Sequence, residues 1–266
     1  MAIRILTLQQ HTTVLKRLVR LAKRFRGGTK HSAGFEYSSL MTCFLMNNVS
    51  SAEAILALGQ HFGEGWFPVP AGYSLTRLLF ETEVTAHYLA RDPVERSRKY
   101  VDFANVLRKR EMDAHAKHRN SSHPSWKEAM QMVWDLQFAE EESEINRRYA
   151  AVISSFEQPA DRKGKKKVFE KWSGLSIRQM ALKVDHEEAY DVFYSFLSSF
   201  SHADIRVADR FLKLGPGGPV WSMKAEEFDV GNVFRYAAIF LTCFLQLFGR
   251  EFGTWSEKEV DARWDF

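Results

Sequence analysis

The stretch from Gly231 to Phe252 constrains the fold more than any other, because it is apolar around almost its whole circumference. A surface helix keeps a polar face for water, so a helix that is apolar on every side belongs at the centre of a bundle. Its most apolar run, Tyr236 to Phe248, contains Thr242 and Gln246 and is flanked by Arg235 and Arg250. That run is shorter than the roughly 20 residues that cross a bilayer. The expectation is a helix buried in protein.

The rest of the chain agrees with a helical core. Seven Pro and 15 Gly among 266 residues are too few for the many tight turns of a β-sandwich or barrel, and 45% hydrophobic content supplies a sizeable interior. The expected fold is all-α, an up-and-down helical bundle with additional peripheral helices. A basic first helix within residues 1–30 packs on or extends from the bundle, and residues 31–266 form one helical domain with a mobile basic loop near 157–171.

Apolar spacing places helices at 6–25, 35–61, 75–91, 93–118, 126–156, 177–184 and 187–202, with a further helix over 203–214. Along the second of these, Leu40, Cys43, Phe44, Asn47, Ala54, Leu58 and Phe62 keep helical spacing. Ser74 reads as an N-cap, Pro93 as a first-turn residue, and Gly63 to Gly72 as a non-helical crossover. Cys43 and Cys243 form no CxxC pair and read as free core thiols. The opening MAIRILTLQQ lacks the order of a secretory signal, so a cytoplasmic protein with no membrane span is expected.

Charge is uneven. The first 30 residues carry eight Lys and Arg, and no acidic residue precedes Glu36. Lys16, Arg17, Arg20, Lys23 and Arg24 line one side of the first helix, and Lys165, Lys166 and Lys167 sit in the later basic loop. A nucleic-acid face, a membrane-surface helix and an ordinary solvated face all fit that pattern. RNA is the expected nucleic-acid partner.

Four residues gather the chemistry. Arg77 and Glu81 stand four apart on one helix face, as do Ser198 and His202 near the end of the aromatic segment Tyr190–His202. A hydroxyl–imidazole pair of this kind serves either catalysis or structure. Arg110 and His115 are a second, less favoured, arginine–histidine combination. Glu83 and His87 are also four apart, but a single such pair is thin support for a metal, and no metal or cofactor is expected. No phosphate-binding glycine loop, dinucleotide fingerprint or nucleophile elbow occurs.

In order, Ser74-Leu-Thr-Arg77-Leu-Leu-Phe-Glu81, Trp172-Ser-Gly-Leu-Ser-Ile177-Arg and Tyr190, Tyr194, Ser198, His202 resemble an uncharacterised all-helical bacterial family of unknown function, grouped with the HEPN-like helical bundles. The resemblance spans roughly residues 35 to 250. It implies a helical bundle with a polar cluster of Arg77, Glu81, Ser198 and His202, and it supplies no reaction. The broader HEPN-like proteins include metal-independent ribonucleases and toxin-like effectors of bacterial defence, working as dimers. Their motif places a histidine four to six residues after an arginine, and no arginine stands at that distance before His202. The expected function is accordingly an RNA-directed, metal-independent endoribonuclease acting as a homodimer. A non-catalytic helical interaction module is the alternative.

Overall fold

Helix α10 (Glu227–Phe252) runs through the interior as its composition demands, with Val233, Ala237, Leu241, Phe244 and Phe248 fully buried. The computed structural model describes residues 6–25, 27, 31–60, 62, 67–119, 123–160, 167–201, 212–215, 218–221 and 226–266. Among the described residues the fold is all-α apart from one short hairpin. Helices α1 (Leu8–Ala22), α2 (Phe35–Gly59) and α3 (Val69–Ala90) pack against α10 and form the bundle.

The chain divides into two units, Met1–Pro93 with Ile177–Phe266, and Val94–Ser176. The basic helix α1 belongs to the first unit, where Val14, Leu15 and Leu18 are fully buried. A capping box closes its start, Thr7 accepting from the Gln10 backbone while the Gln10 side chain accepts from Thr7.

Three expectations are corrected in the first unit. The buried stripe of α2 is Tyr37, Met41, Leu45, Asn48, Ala52 and Ile55, while Cys43 is exposed. The spacing of Leu40, Cys43 and Asn47 was regular but chose the wrong side, because α2 carries apolar residues on more than one face. Helix α3 begins at Val69, ahead of Ser74, because Pro70 sits in the first turn, where a missing N–H costs nothing. Residues Leu212–Gly215 (β1) and Gly218–Trp221 (β2) form an antiparallel hairpin where helix was expected up to 214. Gly218 has a φ of 114°, open to glycine alone at no steric cost. Helices α2 and α10 are each long and apolar enough to cross a membrane by length and composition alone. In α10, 56% of the most apolar window is buried inside the protein, as in a core helix.

The aromatic segment is helical but irregular. Helix α8 (Glu187–Ala189) passes into a π-helical turn, Tyr190–Tyr194, and then into α9 (Ser195–Ser201). The wider turn shifts the register, leaving Val192 64% exposed while Leu197 and Phe200 are buried. Helix α3 packs against α9 and against α7 (Ile177–Lys183).

The C-terminal tail folds back on α10. Gly253, at φ 62°, ends the helix in the left-handed region. Trp255 then donates to the Leu245 carbonyl at 2.6 Å, and Trp264 donates to the Thr242 hydroxyl at 3.0 Å. A second capping box, Ser256 with Glu259, starts α11 (Glu257–Asp261).

In the second unit, α4 (Pro93–His118) is followed by α5 (Pro124–Gln137), α6 (Glu142–Val152) and a 3-10 turn at Ile153–Phe156. One unbroken helix over 126–156 was expected. The break falls at Phe138, whose ring turns inward to join Met112, Trp134 and Ile145 in a buried cluster. A second cluster joins Phe103, Val106 and Phe156.

Candidate functional site

Arg77 and Glu81, one turn apart on α3, are brought together with Tyr194 from the π-helical turn. Arg77 Nε donates to Glu81 Oε1 at 2.7 Å, and Arg77 Nη2 donates to the Tyr194 hydroxyl at 3.0 Å. The Tyr194 hydroxyl in turn donates to Glu81 Oε1 at 2.8 Å, closing a three-membered ring of bonds. The guanidinium also lies over the Tyr194 ring, 5.1 Å from its centroid. The Arg77 and Glu81 side chains keep 19% and 28% of their exposure, so the ring is accessible from solvent.

Local packing explains the arrangement. Tyr190 and Tyr194 stack at 4.6 Å between ring centroids, four residues apart in a turn of wider pitch. Both rings also meet Phe80, which packs on Phe240 of α10. Tyr194 is thereby fixed along its apolar edge while its hydroxyl faces α3.

The electrostatics follow from burial and pairing. Burial works against the Arg77 charge, but the hydrogen bond and charge of Glu81, with Tyr194, outweigh it and raise its pKa. Burial, then the bond to Glu81 and its charge, push Tyr194 up to about 12. The phenol therefore keeps its proton at neutral pH. An anion competing with Glu81 would meet a guanidinium and a protonated phenol, both hydrogen-bond donors.

The other expected site residues are spread widely. Ser198 is half-buried on α9. His202, Lys165 and Lys166 lie outside the described residues. Arg110 donates to the Phe169 carbonyl at 2.6 Å and lies over the Phe103 ring, whereas His115 packs on Phe138. These two side chains are engaged in different clusters. Lys16 and Arg20 on α1 are exposed, as are Arg24 just past its end and Lys167 in the later segment. Lys23 is exposed and paired with Glu53. Arg17 is half-buried, donates to the Asp265 carbonyl at 2.7 Å and lies over the Phe266 ring, so it anchors the tail.

A second cluster was half visible in the sequence. Glu83 and His87 project from α3 one turn apart, and His186 meets them from the turn after α7. Glu83 Oε1 lies 3.3 Å from His87 Nε2 and 3.2 Å from His186 Nδ1, and the two imidazole rings are 4.8 Å apart. Glu83 is 2% exposed. Burial alone raises its pKa to about 8. Burial lowers His87 to about 4, with His186, Arg250 and Arg91 adding to the shift against a bond to the Cys243 backbone. Burial also lowers His186. The one sequence signal was the Glu83–His87 spacing; nothing in it pointed to His186, about a hundred residues away.

Tyr194 and His186 are the two members that sequence spacing did not assign to a site. Comparison with curated proteins gives no match, and comparison with solved structures gives none either. The family model that matches residues 38–219 takes in α2, α3 and α9 with both side-chain clusters, and it places the chain in the family of unknown function DUF5677.

Proposed function

We propose that the chain is an RNA-directed helical protein of the HEPN-like kind, whose phosphodiester site is built on Arg77, Glu81 and Tyr194. The observation that carries this reading is the accessible ring of bonds in which a charged guanidinium and a proton-bearing phenol lie 3.0 Å apart. In the reading, Arg77 turns hydrogen bonds toward a non-bridging phosphate oxygen, and Glu81 holds the guanidinium in place. His202 takes the proton from the ribose 2'-hydroxyl, whose oxygen attacks phosphorus. The 5'-oxygen leaves and receives a proton, which the Tyr194 phenol supplies on giving up its hydrogen bond to Glu81 Oε1.

The exposed Lys16 and Arg20 of α1, with Arg24 just past its end, support the same reading by supplying charge for a polyanion, and such binding weakens as salt rises. The proposal includes a homodimer in the cytoplasm and a role as a defence or stress effector.

The test is incubation of a mixed RNA pool with the full chain in EDTA at low salt, beside His202→Ala, Tyr194→Phe and His115→Ala. Cleavage by the wild type that is lost in His202→Ala, reduced in Tyr194→Phe and kept in His115→Ala supports it. A wild type that neither cleaves nor binds RNA at low salt discards it.

A second reading has its own support, because Arg77, Glu81 and Tyr194 satisfy one another without any ligand. In that reading the ring pins α3 to the aromatic segment of a non-catalytic interaction module. Tyr194→Phe then lowers the melting temperature and changes nothing else.

A further inference from the structure

Three polar atoms converge inside the first unit without satisfying one another. Glu83 Oε1, His87 Nε2 and His186 Nδ1 are each buried with no hydrogen-bond partner among the described residues, although their separations would allow one. Buried polar groups in folded proteins are nearly always bonded, so three orphans facing one point call for an explanation. A carboxylate oxygen and two imidazole nitrogens are together the donor set of a first-row divalent metal.

The spacing agrees. A tetrahedral ion with ligands at about 2.0–2.1 Å sets neighbouring ligand atoms roughly 3.3 Å apart. Two of the separations here are 3.3 and 3.2 Å, and all three atoms lie within 4.8 Å of one another.

The surroundings are those of ligands held in place. The Cys243 backbone stands close enough to the His87 ring to raise its pKa against the burial that lowers it. A backbone carbonyl beside the ring is the kind of neighbour that orients a metal-binding histidine. His186 is set by a strained turn: Asp185 before it adopts a φ of 64°, and the His186 N–H returns to the Ala181 carbonyl at 2.8 Å. Arg91 pairs with Asp185 and holds that turn against the end of α3. Backbone strain persists where its surroundings enforce it, and it gathers at functional sites.

We infer that Glu83, His87 and His186 form a binding site for one divalent transition-metal ion of the zinc class. Three protein ligands leave a fourth position open to water or to a small anionic group, unlike the closed four-ligand sites that serve structure alone. The site shares helix α3 with the Arg77 ring but none of its residues, and the inference stands whether or not the protein acts on RNA.

The test is titration of the full chain, stripped with chelator, with Co2+ alone while its visible absorption is followed, then competition with Zn2+. The expected result is a saturable band reaching one Co2+ per chain, abolished by Zn2+. The band is lost in Glu83→Gln and in His186→Ala, and kept in His118→Ala. His186 is partly exposed, so its truncation leaves the fold intact, as far-UV circular dichroism checks. Absence of a band in the wild type, or an unchanged band in a folded His186→Ala, overturns the inference.

Discussion

Glu83 Oε1 and His186 Nδ1 lie 3.2 Å apart, buried, and neither has a hydrogen-bond partner among the described residues. Such a pair is costly to fold in the absence of a third party. An unsatisfied buried polar group costs about 1–3 kcal/mol, and an apolar group of similar shape removes that cost. Glu83→Met is therefore expected to raise the melting temperature of the chelator-treated protein. With Zn2+ added, the wild type gains stability that the variant does not, because a ligand bound only by the folded state stabilises it. Thermal melts with and without the ion check both statements.

Gly249 answers to a different constraint, close approach of the tail. A methyl group built there would stand 2.4 Å from the Trp255 carbonyl oxygen and 2.6 Å from its ring. Backbone cannot yield as a flexible side chain can. Gly249→Ala is expected to destabilise by about 1–3 kcal/mol, the usual range for overpacking. Denaturant unfolding measures it, and an unchanged midpoint would refute the tail's docked position.

His11 gives the pH dependence. Burial lowers its pKa, and the Arg235 charge lowers it further. The folded protein therefore keeps His11 neutral where the unfolded chain, with a pKa of about 6.5, takes up a proton. Stability from this group is present above that value and is lost as pH falls below it. Unfolding free energies measured from pH 7 down to 5 are expected to fall less steeply in His11→Gln than in the wild type.

What the sequence disclosed depended on whether the signal was local. Helix α10 was legible because an all-apolar circumference has one physical solution, and Pro93 fixed the start of α4. The break at Phe138 was not, because only the tertiary position of Met112, Trp134 and Ile145 makes burial of that ring worth a lost helical turn. The π-helical turn at Tyr190–Tyr194 is invisible to a period of 3.6 residues, and it leaves Val192 in solvent within an otherwise apolar segment. The candidate sites divide in the same way. Arg77 with Glu81, and Glu83 with His87, lie within one turn and could be paired by counting. Tyr194 and His186 reach those pairs through the packing of distant segments, and no spacing rule connects them.

The proposed contact between Arg77 and an RNA phosphate is checked by titrating fluorescent single-stranded RNA against the wild type and Arg77→Lys at low salt. Lysine keeps the charge but lacks the planar fork that engages two oxygens at once. A charge-assisted hydrogen bond is worth about 1.5–3 kcal/mol, so affinity is expected to fall about tenfold or more. Equal affinity in the two proteins, or no binding by the wild type, would contradict the account.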